Sequence, residues 1–382
     1  MATEFVLSLA APVMAGASRP LVEVGLDASV TALAWQWDET GPTTATVGVI
    51  GAGRTPAVMA LRDAIDAPLM AHAEIRHGSD VVWEGVLLDY DLVAGGVVGG
   101  LHLVGYTYTL AFAPWLRTDL TSAITSGAAL RTALADLAPW LRPGVTGEQW
   151  VDPMVSHAGG MADFARMTAA QIADQIRQQG DTQGREVYVR TMPGRTVWLG
   201  PRVAPAEPHY VIPFDGRVRR WNVSAEGMAA QVTVERGSAS SGTLGATGTN
   251  AHFASDRGFA PHVLVPVGDV DVASANALRN AELSRRAVPR VAATLAAERD
   301  PATWLSTRHG VPVPYWQPMP GEWVQVAGED ARPIVAVSVD ATGQTATYEL
   351  GYPSKARQAS VLARDTIARY RQMLAANGGR LR

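Results

Sequence analysis

Three consecutive β-strands form the strongest structural signal in the sequence, and they lie within residues 71–116. The strands are predicted at residues 71–76, 81–91 and 101–106, with turns rich in glycine and aspartate between them. Alternating apolar and polar residues between such turns are typical of antiparallel strands that follow one another as hairpins. No residue pattern in this stretch is typical of catalysis. It predicts the wall of a β-barrel or a strongly curved sheet.

The rest of the chain adds strands on both sides of a helical middle. Further strands are predicted at residues 4–9, 22–26, 30–37, 44–50, 186–190, 196–200, 210–214, 229–236, 323–326 and 333–352. Helices are predicted at residues 56–65, 130–141, 168–180, 272–286 and 354–376. Residues 237–249 (GSASSGTLGATGT) are predicted to be a loop, because small polar residues cannot build a core. The sequence therefore predicts an α+β protein that is mostly β.

Composition excludes several classes of protein. A chain of 382 residues is long enough for two or three domains, and 47% apolar with 18% charged residues excludes a disordered protein. The net charge of −4 offers no basic surface for nucleic acid, and the absence of cysteine excludes disulfides and thiolate sites. No apolar run reaches the roughly 18 residues that span a bilayer. Glu4, in place of a basic segment, favours a first strand over a signal peptide.

One motif favours an enzyme. Residues 47–56 (VGVIGAGRTP) follow a predicted strand and precede a predicted helix, and Glu74 lies about twenty residues later, which is close to the dinucleotide-binding fingerprint. Pro56 replaces the third glycine, whose missing side chain lets helix and strand pack closely. The strand that carries Glu74 continues into a hairpin and not into a crossover helix. We therefore expect an ordinary turn at residues 51–56 and no bound cofactor.

Four other polar residues are candidates for a site. No two histidines show the HExxH spacing of a zinc site, so His72 and Glu74, on one face of a strand, are expected to form a surface pair. Asp89 and Asp91 have the residue type needed for glycoside hydrolysis. Two acids that flank an aromatic residue on a strand are, however, expected on the solvent face. We therefore expect no catalytic, cofactor-binding or metal-binding residues.

Serines and tryptophans are further candidates for a site. Ser238, Ser240 and Ser241 lack the G-x-S-x-G pattern of a nucleophile elbow and fit a linker. The eleven tryptophans could bind sugars by stacking, but those within apolar patterns are expected in the core. These are Trp35, Trp83, Trp198 and Trp323.

The order of segments is more informative than any single motif. Residues 30–50 predict a strand pair, residues 71–92 a hairpin, and residues 101–116 a strand followed by a step into helices. The hairpin contains Val82, Trp83 and Gly85, and the step contains Gly105, Tyr106 and Leu110. In this order and in these residues the chain resembles phage tail hub proteins. The similarity continues through residues 185–202, 209–237, 275–290, 318–326 and 333–352.

This resemblance implies a domain order and a role. Two β-barrel-like hub domains are expected at residues 1–116 and 251–353, with a helical and hairpin insertion at 117–200, return strands and a Gly/Ser linker at 201–250, and a C-terminal helix at 354–382. The resemblance implies a structural homotrimer in the virion, at the tail tip, assembled in the host cytoplasm. Such a ring adapts a sixfold tail tube to a threefold tip. Its partners would be the tail tube or distal tail protein, a tip, spike or fibre protein, and the tape-measure protein.

Two other functions remain open from the residues alone. One is an enzyme, either a Rossmann-type oxidoreductase or a carbohydrate-active β protein. The other is a tail module that binds carbohydrate on the host surface. No hydrolase domain is expected after Tyr352, because only a predicted helix follows.

Overall fold

A computed structural model describes residues 5–10, 20–25, 30–49, 69–93, 97–116, 122–157, 159–183, 185–212, 218–224, 228–236, 243–249, 261–266, 272–286, 290–298, 305–306, 310–326 and 330–351. The first ten strands are β1 (Phe5–Ala10), β2 (Pro20–Gly25), β3 (Val30–Asp38), β4 (Gly41–Val49), β5 (His72–His77), β6 (Asp80–Val93), β7 (Val97–Gly105), β8 (Ile124–Thr125), β9 (Arg142–Pro143) and β10 (Ser156–His157). Helix α1 (Ser126–Leu137) lies between β8 and β9, and short 3-10 helices occupy Tyr106–Ala111 and Gly160–Phe164.

The second half of the chain is again mostly β. After helix α2 (Ala169–Gln179) come β11 (Val187–Met192), β12 (Thr196–Pro201), β13 (Tyr210–Ile212), β14 (Val218–Ser224), β15 (Gln231–Arg236), β16 (Thr243–Thr249) and β17 (His262–Pro266). Helix α3 (Val272–Arg285) is followed by β18 (Arg290–Glu298), β19 (Leu305–Ser306), β20 (Trp323–Val326), β21 (Arg332–Asp340) and β22 (Thr345–Gly351). The prediction of an α+β, mostly β protein is confirmed.

One large sheet contains strands from both halves of the chain. Its order is β14-β18-β22-β21-β3-β4-β7-β6-β5-β1-β2, with β13, β19 and β20 joined at the side of β21. The meander is confirmed, because β5, β6 and β7 pair antiparallel in sequence order. The two halves meet where β3 pairs with β21, with Trp37 opposite Val337.

The sheet curls strongly around its core. The rings of Phe5 on β1 and Trp35 on β3 lie 5.3 Å apart, although four strands separate β1 from β3 in the sheet. The indole nitrogen of Trp37 also donates a hydrogen bond to the carbonyl oxygen of Val82 on β6, across the same concave face. The strong curvature that the meander predicts is therefore present. Among the described strands the sheet stays open, so the expected barrels are a curled sheet and not closed cylinders.

Two apolar cores lie on the two faces of this sheet. The concave face holds one continuous core that joins both halves of the chain, including Leu7, Trp35, Trp83, Leu295, Val337 and Tyr348. The opposite face packs against α1, α2 and the β11–β12 hairpin through residues that include Val86, Val104, Leu130, Ile172, Ile176 and Leu199. Strand β6 contributes to both cores, which explains why its residues 81–88 (VVWEGVLL) are apolar toward both faces of the sheet.

Local signals account for the helical layer. Thr168 begins α2 with the predicted capping box: its hydroxyl accepts from the backbone N–H of Gln171, whose side chain accepts from the backbone N–H of Thr168. Gly180, with φ +72°, follows the last helical turn. In the β11–β12 hairpin Gly194 has φ +81°, the conformation predicted for the Pro-Gly turn. The hairpin packs on α2, and Arg177 of the helix donates to the carbonyl of Val189.

The two glycines of the hub-like motifs lie where neighbouring strands of the sheet approach one another closely. Gly85 and Gly105 are opposite one another on β6 and β7. A Cβ atom on Gly85 would lie 2.1 Å from the carbonyl oxygen of Val104, and one on Gly105 would lie 1.7 Å from that of Pro42. Both contacts are far inside van der Waals distance, so the close approach of β4, β7 and β6 requires glycine at both positions.

A small separate sheet corrects the predicted loop. Residues 243–249 form β16, which pairs antiparallel with β15, and β15 pairs in parallel with β17. The prediction of a loop is therefore wrong for this part, and residues 237–242 lie outside the described ranges. The small residues have a packing role, because a Cβ atom on Gly248 would lie 2.4 Å from the Leu283 side chain of α3. Pairing satisfies the backbone groups that the sequence pattern left without partners.

Several predictions are not tested by these strands and helices. The predicted helices at residues 56–65 and 354–376, the fingerprint at 51–56 and Ser238, Ser240 and Ser241 lie outside the described residues. The domain bounds remain a prediction. No helix within the described ranges is long and apolar enough to span a membrane.

A candidate functional site: the buried histidine–glutamate cluster

The expected pair of acids on β6 lies on the surface. The side chains of Asp89 and Asp91 are 59% and 71% exposed, and the imidazole of His102 on β7 lies 3.2 Å from Asp91 and 3.9 Å from Asp89. The prediction that they occupy a solvent face is therefore confirmed. The prediction of core tryptophans is confirmed for Trp35 and Trp83, which are fully buried, and is wrong for Trp198 and Trp323, which are half-buried and lie outside the core clusters.

The prediction of a surface pair at His72 and Glu74 is wrong. His72 is 3% exposed, and its Nε2 atom lies 2.8 Å from Oε1 of Glu74. Its Nδ1 atom lies 2.6 Å from the buried hydroxyl of Tyr106 at the end of β7. Tyr106 belongs to the core between the large sheet and the helical layer, so His72 lies on that face of β5 and not on the surface. Alternation within β5 indicates a shared face but does not show that another layer lies on that face.

A third member of the cluster was not singled out from the sequence. Glu84 on β6 is directly opposite Glu74 on β5 and is 2% exposed. Its Oε1 atom lies 3.7 Å from Nε2 of His72, and its Oε2 atom accepts a 3.1 Å hydrogen bond from the backbone N–H of Arg195. A signal was present: Glu84 is the one charged residue in the run 81–88 (VVWEGVLL). A charge inside such a run is rarely buried without partners.

Burial and neighbouring charges shift the pKa values of the Glu74 and Glu84 carboxyl groups in opposite directions. Burial raises the pKa of Glu84, although His72 and the backbone N–H of Arg195 oppose the rise. Burial also raises the pKa of Glu74, but hydrogen bonds from His72 and Arg76 outweigh it, so that this pKa is lowered. Burial raises the pKa of Tyr106, which keeps its hydroxyl neutral. The cluster therefore favours an ionised Glu74 beside a Glu84 that holds a proton more readily.

The arrangement joins two layers of the fold. Glu84 belongs to the large sheet, and the backbone that it accepts from belongs to the turn of the β11–β12 hairpin. Arg195, at this turn, is buried with its guanidinium 4.0 Å from Glu84. Within the described residues, His72, Glu74 and Glu84 are also the group whose ligand atoms lie close enough to hold a metal ion, all within 4.8 Å of one another.

A second polar cluster fixes the other end of the same hairpin. The guanidinium of Arg190 lies over the rings of Tyr188 and Trp198, at 4.7 and 5.4 Å, and donates a 2.7 Å hydrogen bond to the carbonyl of Pro320. It borders a cavity of about 220 Å³ that Glu39 also lines. Burial lowers the pKa of Arg190 and raises that of Glu39. These contacts connect the hairpin to the second half of the chain and stabilise the layers against one another.

Comparison with known proteins supports a fold and not a chemistry. No protein-family model matches the sequence, and no curated protein matches it significantly. Solved structures do match: the tail protein from Neisseria meningitidis MC58 (TM-score 0.57, 12% identity, 91% of this chain and 96% of that chain) and the 43-kDa tail protein of prophage MuSo2 from Shewanella oneidensis (0.57, 12%, 91% and 97%). Prophage tail protein gp18 from Listeria monocytogenes EGD-e matches with a TM-score of 0.56 at 12% identity, over 94% of this chain and 98% of that chain.

These matches run almost from end to end in both partners. Two of the matched structures are prophage tail proteins, and the third is named a tail protein. At 12% identity the similarity concerns the path of the chain and not its individual side chains. The resemblance inferred from the order of the sequence segments is thus matched by the three-dimensional structure. The chain has the fold of phage tail proteins.

Proposed function

We propose that the protein is a structural component of the tail of a bacteriophage or phage-like particle, and not an enzyme. The observation that carries the proposal is the end-to-end match to three tail proteins, which covers 91–94% of this chain. The best-defined polar cluster supports the same role, because its hydrogen bonds join two layers of the fold. The tail of the virion, assembled in the host cytoplasm, is its location in this proposal.

Within the tail we propose the hub: a trimeric ring between the sixfold tube and the threefold tip. Two features support it. Strands of the two proposed hub domains, residues 1–116 and 251–353, lie side by side through the pairing of β3 with β21, so each subunit offers two sheet segments to a ring. The large sheet ends at β14 and β2, each with one strand neighbour among those described, and an exposed strand edge is suited to pairing or packing with another chain.

The proposed partners follow from this position. The tail tube or distal tail protein would contact one face of the ring, and a tip, spike or fibre protein the other. The tape-measure protein would end at the ring. These assignments rest on the hub proposal and on the resemblance to hub proteins.

The decisive experiment is symmetry analysis of the assembled particle. Cryo-electron microscopy of tails that contain the protein should resolve three copies around the tail axis at the tip. Mass photometry of the purified protein with its tube-side neighbour should detect a species that contains three 40.4-kDa chains. A tip with six copies, or none, would contradict the hub assignment, and absence from the particle would contradict the structural role.

The enzyme alternative has its own test. Calorimetric titration with nicotinamide and flavin dinucleotides should give no heat above dilution. Gly53→Val serves as the matched variant, because Gly53 belongs to the near-fingerprint of residues 51–56. Micromolar binding that Gly53→Val abolishes would favour an oxidoreductase over the tail role.

A further inference from the structure

The buried cluster on β5 and β6 brings three potential metal ligands together from two adjacent strands. Three potential ligand atoms lie within 4.8 Å of one another: Nε2 of His72, Oε1 of Glu74 at 2.8 Å from that nitrogen, and Oε1 of Glu84 at 3.7 Å from it. Two buried carboxylates that face one another on adjacent strands repel unless a cation or a proton lies between them. A proton held by Glu84, the guanidinium of Arg195 at 4.0 Å from Oε1 of Glu84, or a bound cation would each relieve this repulsion.

The other polar atom of each residue is already engaged. Oε2 of Glu74 accepts from the side chain of Arg76, and Oε2 of Glu84 accepts from the backbone N–H of Arg195. The Oε1 atoms are the ones that turn toward His72. Each carboxylate is thus oriented from behind by a donor and directs its remaining oxygen at a common centre, as ligating carboxylates are in metal sites.

The imidazole is oriented in the same way. Nδ1 of His72 lies 2.6 Å from the hydroxyl of Tyr106. When Nδ1 donates to that hydroxyl, Nε2 has a free electron pair directed at the two carboxylates. A ligating histidine whose second nitrogen donates to a fixed acceptor is the usual arrangement around protein-bound zinc.

We propose that His72, Glu74 and Glu84 bind a divalent transition-metal ion, with Zn²⁺ as the best-matched probe. One imidazole nitrogen and two carboxylate oxygens are a donor set that suits zinc and not magnesium or calcium, which prefer oxygen alone. Ligands at 2.0–2.2 Å from an ion lie up to roughly 4 Å from one another. The 2.8 and 3.7 Å separations from Nε2 fall within that limit, and all three atoms lie within 4.8 Å of one another, so a small movement of the carboxylates would bring the set around an ion. Water completes the coordination.

Metal binding replaces a proton in this site. Nε2 of His72 and Oε1 of Glu74, at 2.8 Å, share a proton when no ion lies between them. The ion takes its place, and the proton passes to solvent. Since Glu84 also holds the turn of the β11–β12 hairpin, the bound ion strengthens the attachment of the hairpin layer to the large sheet. This role does not depend on the position of the protein in a tail.

The test uses the full chain, freed of metal with a chelator and then titrated with ZnCl₂. Calorimetry should show one saturable site per chain, and the melting temperature should rise with Zn²⁺ concentration but not with Mg²⁺. Glu74→Gln removes one ligand at the more exposed edge of the cluster and should weaken binding at least about tenfold. Asp91→Asn is the matched control: it alters the exposed Asp91–His102 pair of the same sheet and should leave the affinity unchanged.

Two results would overturn the proposal. One is a chain that takes up no Zn²⁺, and the other is a Glu74→Gln variant that binds Zn²⁺ as tightly as the unaltered chain. If circular dichroism shows that Glu74→Gln is unfolded, X-ray absorption of the zinc-loaded unaltered chain decides. A first shell of nitrogen and oxygen at about 2.0–2.2 Å with one imidazole supports the site. A shell with no imidazole, or with several, overturns it.

Discussion

Gly105 offers the sharpest test of how the sheet is built, because it belongs to the hub-like sequence motif and lies where neighbouring strands approach one another closely. Its backbone, with φ −66° and ψ 160°, is one that alanine adopts without strain. The cost of Gly105→Ala therefore comes from contact alone. The new Cβ atom would lie 1.7 Å from the carbonyl oxygen of Pro42 and 2.5 Å from its carbon, and these backbone atoms of β4 cannot rotate away.

The matched control lies on the same strand. At Gly100 a new Cβ atom would meet its nearest neighbour, the carbonyl oxygen of Val47, at 3.6 Å, which is ordinary contact. Gly100→Ala should therefore stabilise the protein by about 0.4–1 kcal/mol, through the lower entropy of the unfolded chain. Gly105→Ala gains the same entropy term but loses about 1–3 kcal/mol or more to overpacking. Because the entropy term is common to both variants, their free energies of unfolding should differ by the overpacking cost alone, about 1–3 kcal/mol or more.

Urea denaturation measured by tryptophan fluorescence is a suitable assay, because Trp35 and Trp83 are buried in the adjacent core. Hydrogen exchange should show the loss of protection first in β4 and β7. If Gly105→Ala and Gly100→Ala unfold at the same urea concentration, the close approach of β4 to β7 is not what requires glycine at this position.

Three further predictions concern other layers. Thr168→Ala removes the N-cap of α2 and should lower the free energy of unfolding, measured in urea, by about 1 kcal/mol. The control Thr132→Ala within α1 should leave this free energy almost unchanged. Equal effects of the two substitutions would contradict the capping role. Gly248→Val should push α3 away from β16, lower the free energy of unfolding by about 1–3 kcal/mol and speed hydrogen exchange in the β15–β16–β17 sheet. Thr249→Val, at an exposed neighbouring position, should have neither effect. Burial lowers the pKa of His157 from 6.5, so the unfolded chain binds this proton first and stability should fall as pH drops below 6.5. Melting temperatures at about pH 7.5 and 5.5 should differ less in His157→Gln than in the unaltered chain; an unchanged difference would refute this assignment.

Structural features that depend on only a few neighbouring residues can be predicted from the sequence. The capping box of Thr168 and the positive φ of Gly194 depend on hydrogen bonds and steric limits within one turn, so their residues are sufficient to predict them. The three strands of the meander follow for the same reason, since each pairs with its neighbour in sequence. Gly85 and Gly105 belong to the sequence motif, but only the close approach of the neighbouring strands shows why they are glycine.

Residues 237–249 show the limit of composition as a guide. Small polar residues are typical of loops when they have no partner, yet residues 243–249 form β16 because β15 supplies hydrogen-bond partners. Their small size then allows α3 to pack on the strand at Gly248. Whether such a segment is a loop or a strand depends on what lies beside it, and the local sequence does not contain that information.

The secondary structure of the meander, the helical middle and the mostly β character of the protein can be predicted from sequence, because periodicity, caps and turns are local. The burial of His72, Glu74 and Glu84, in contrast, depends on the packing of distant segments. Their two strands are adjacent in sequence, but the backbone N–H that donates to Glu84 belongs to Arg195, 111 positions later. A side chain is buried by its spatial neighbours, and when those neighbours come from distant segments the same residues look like a surface pair until the chain is folded.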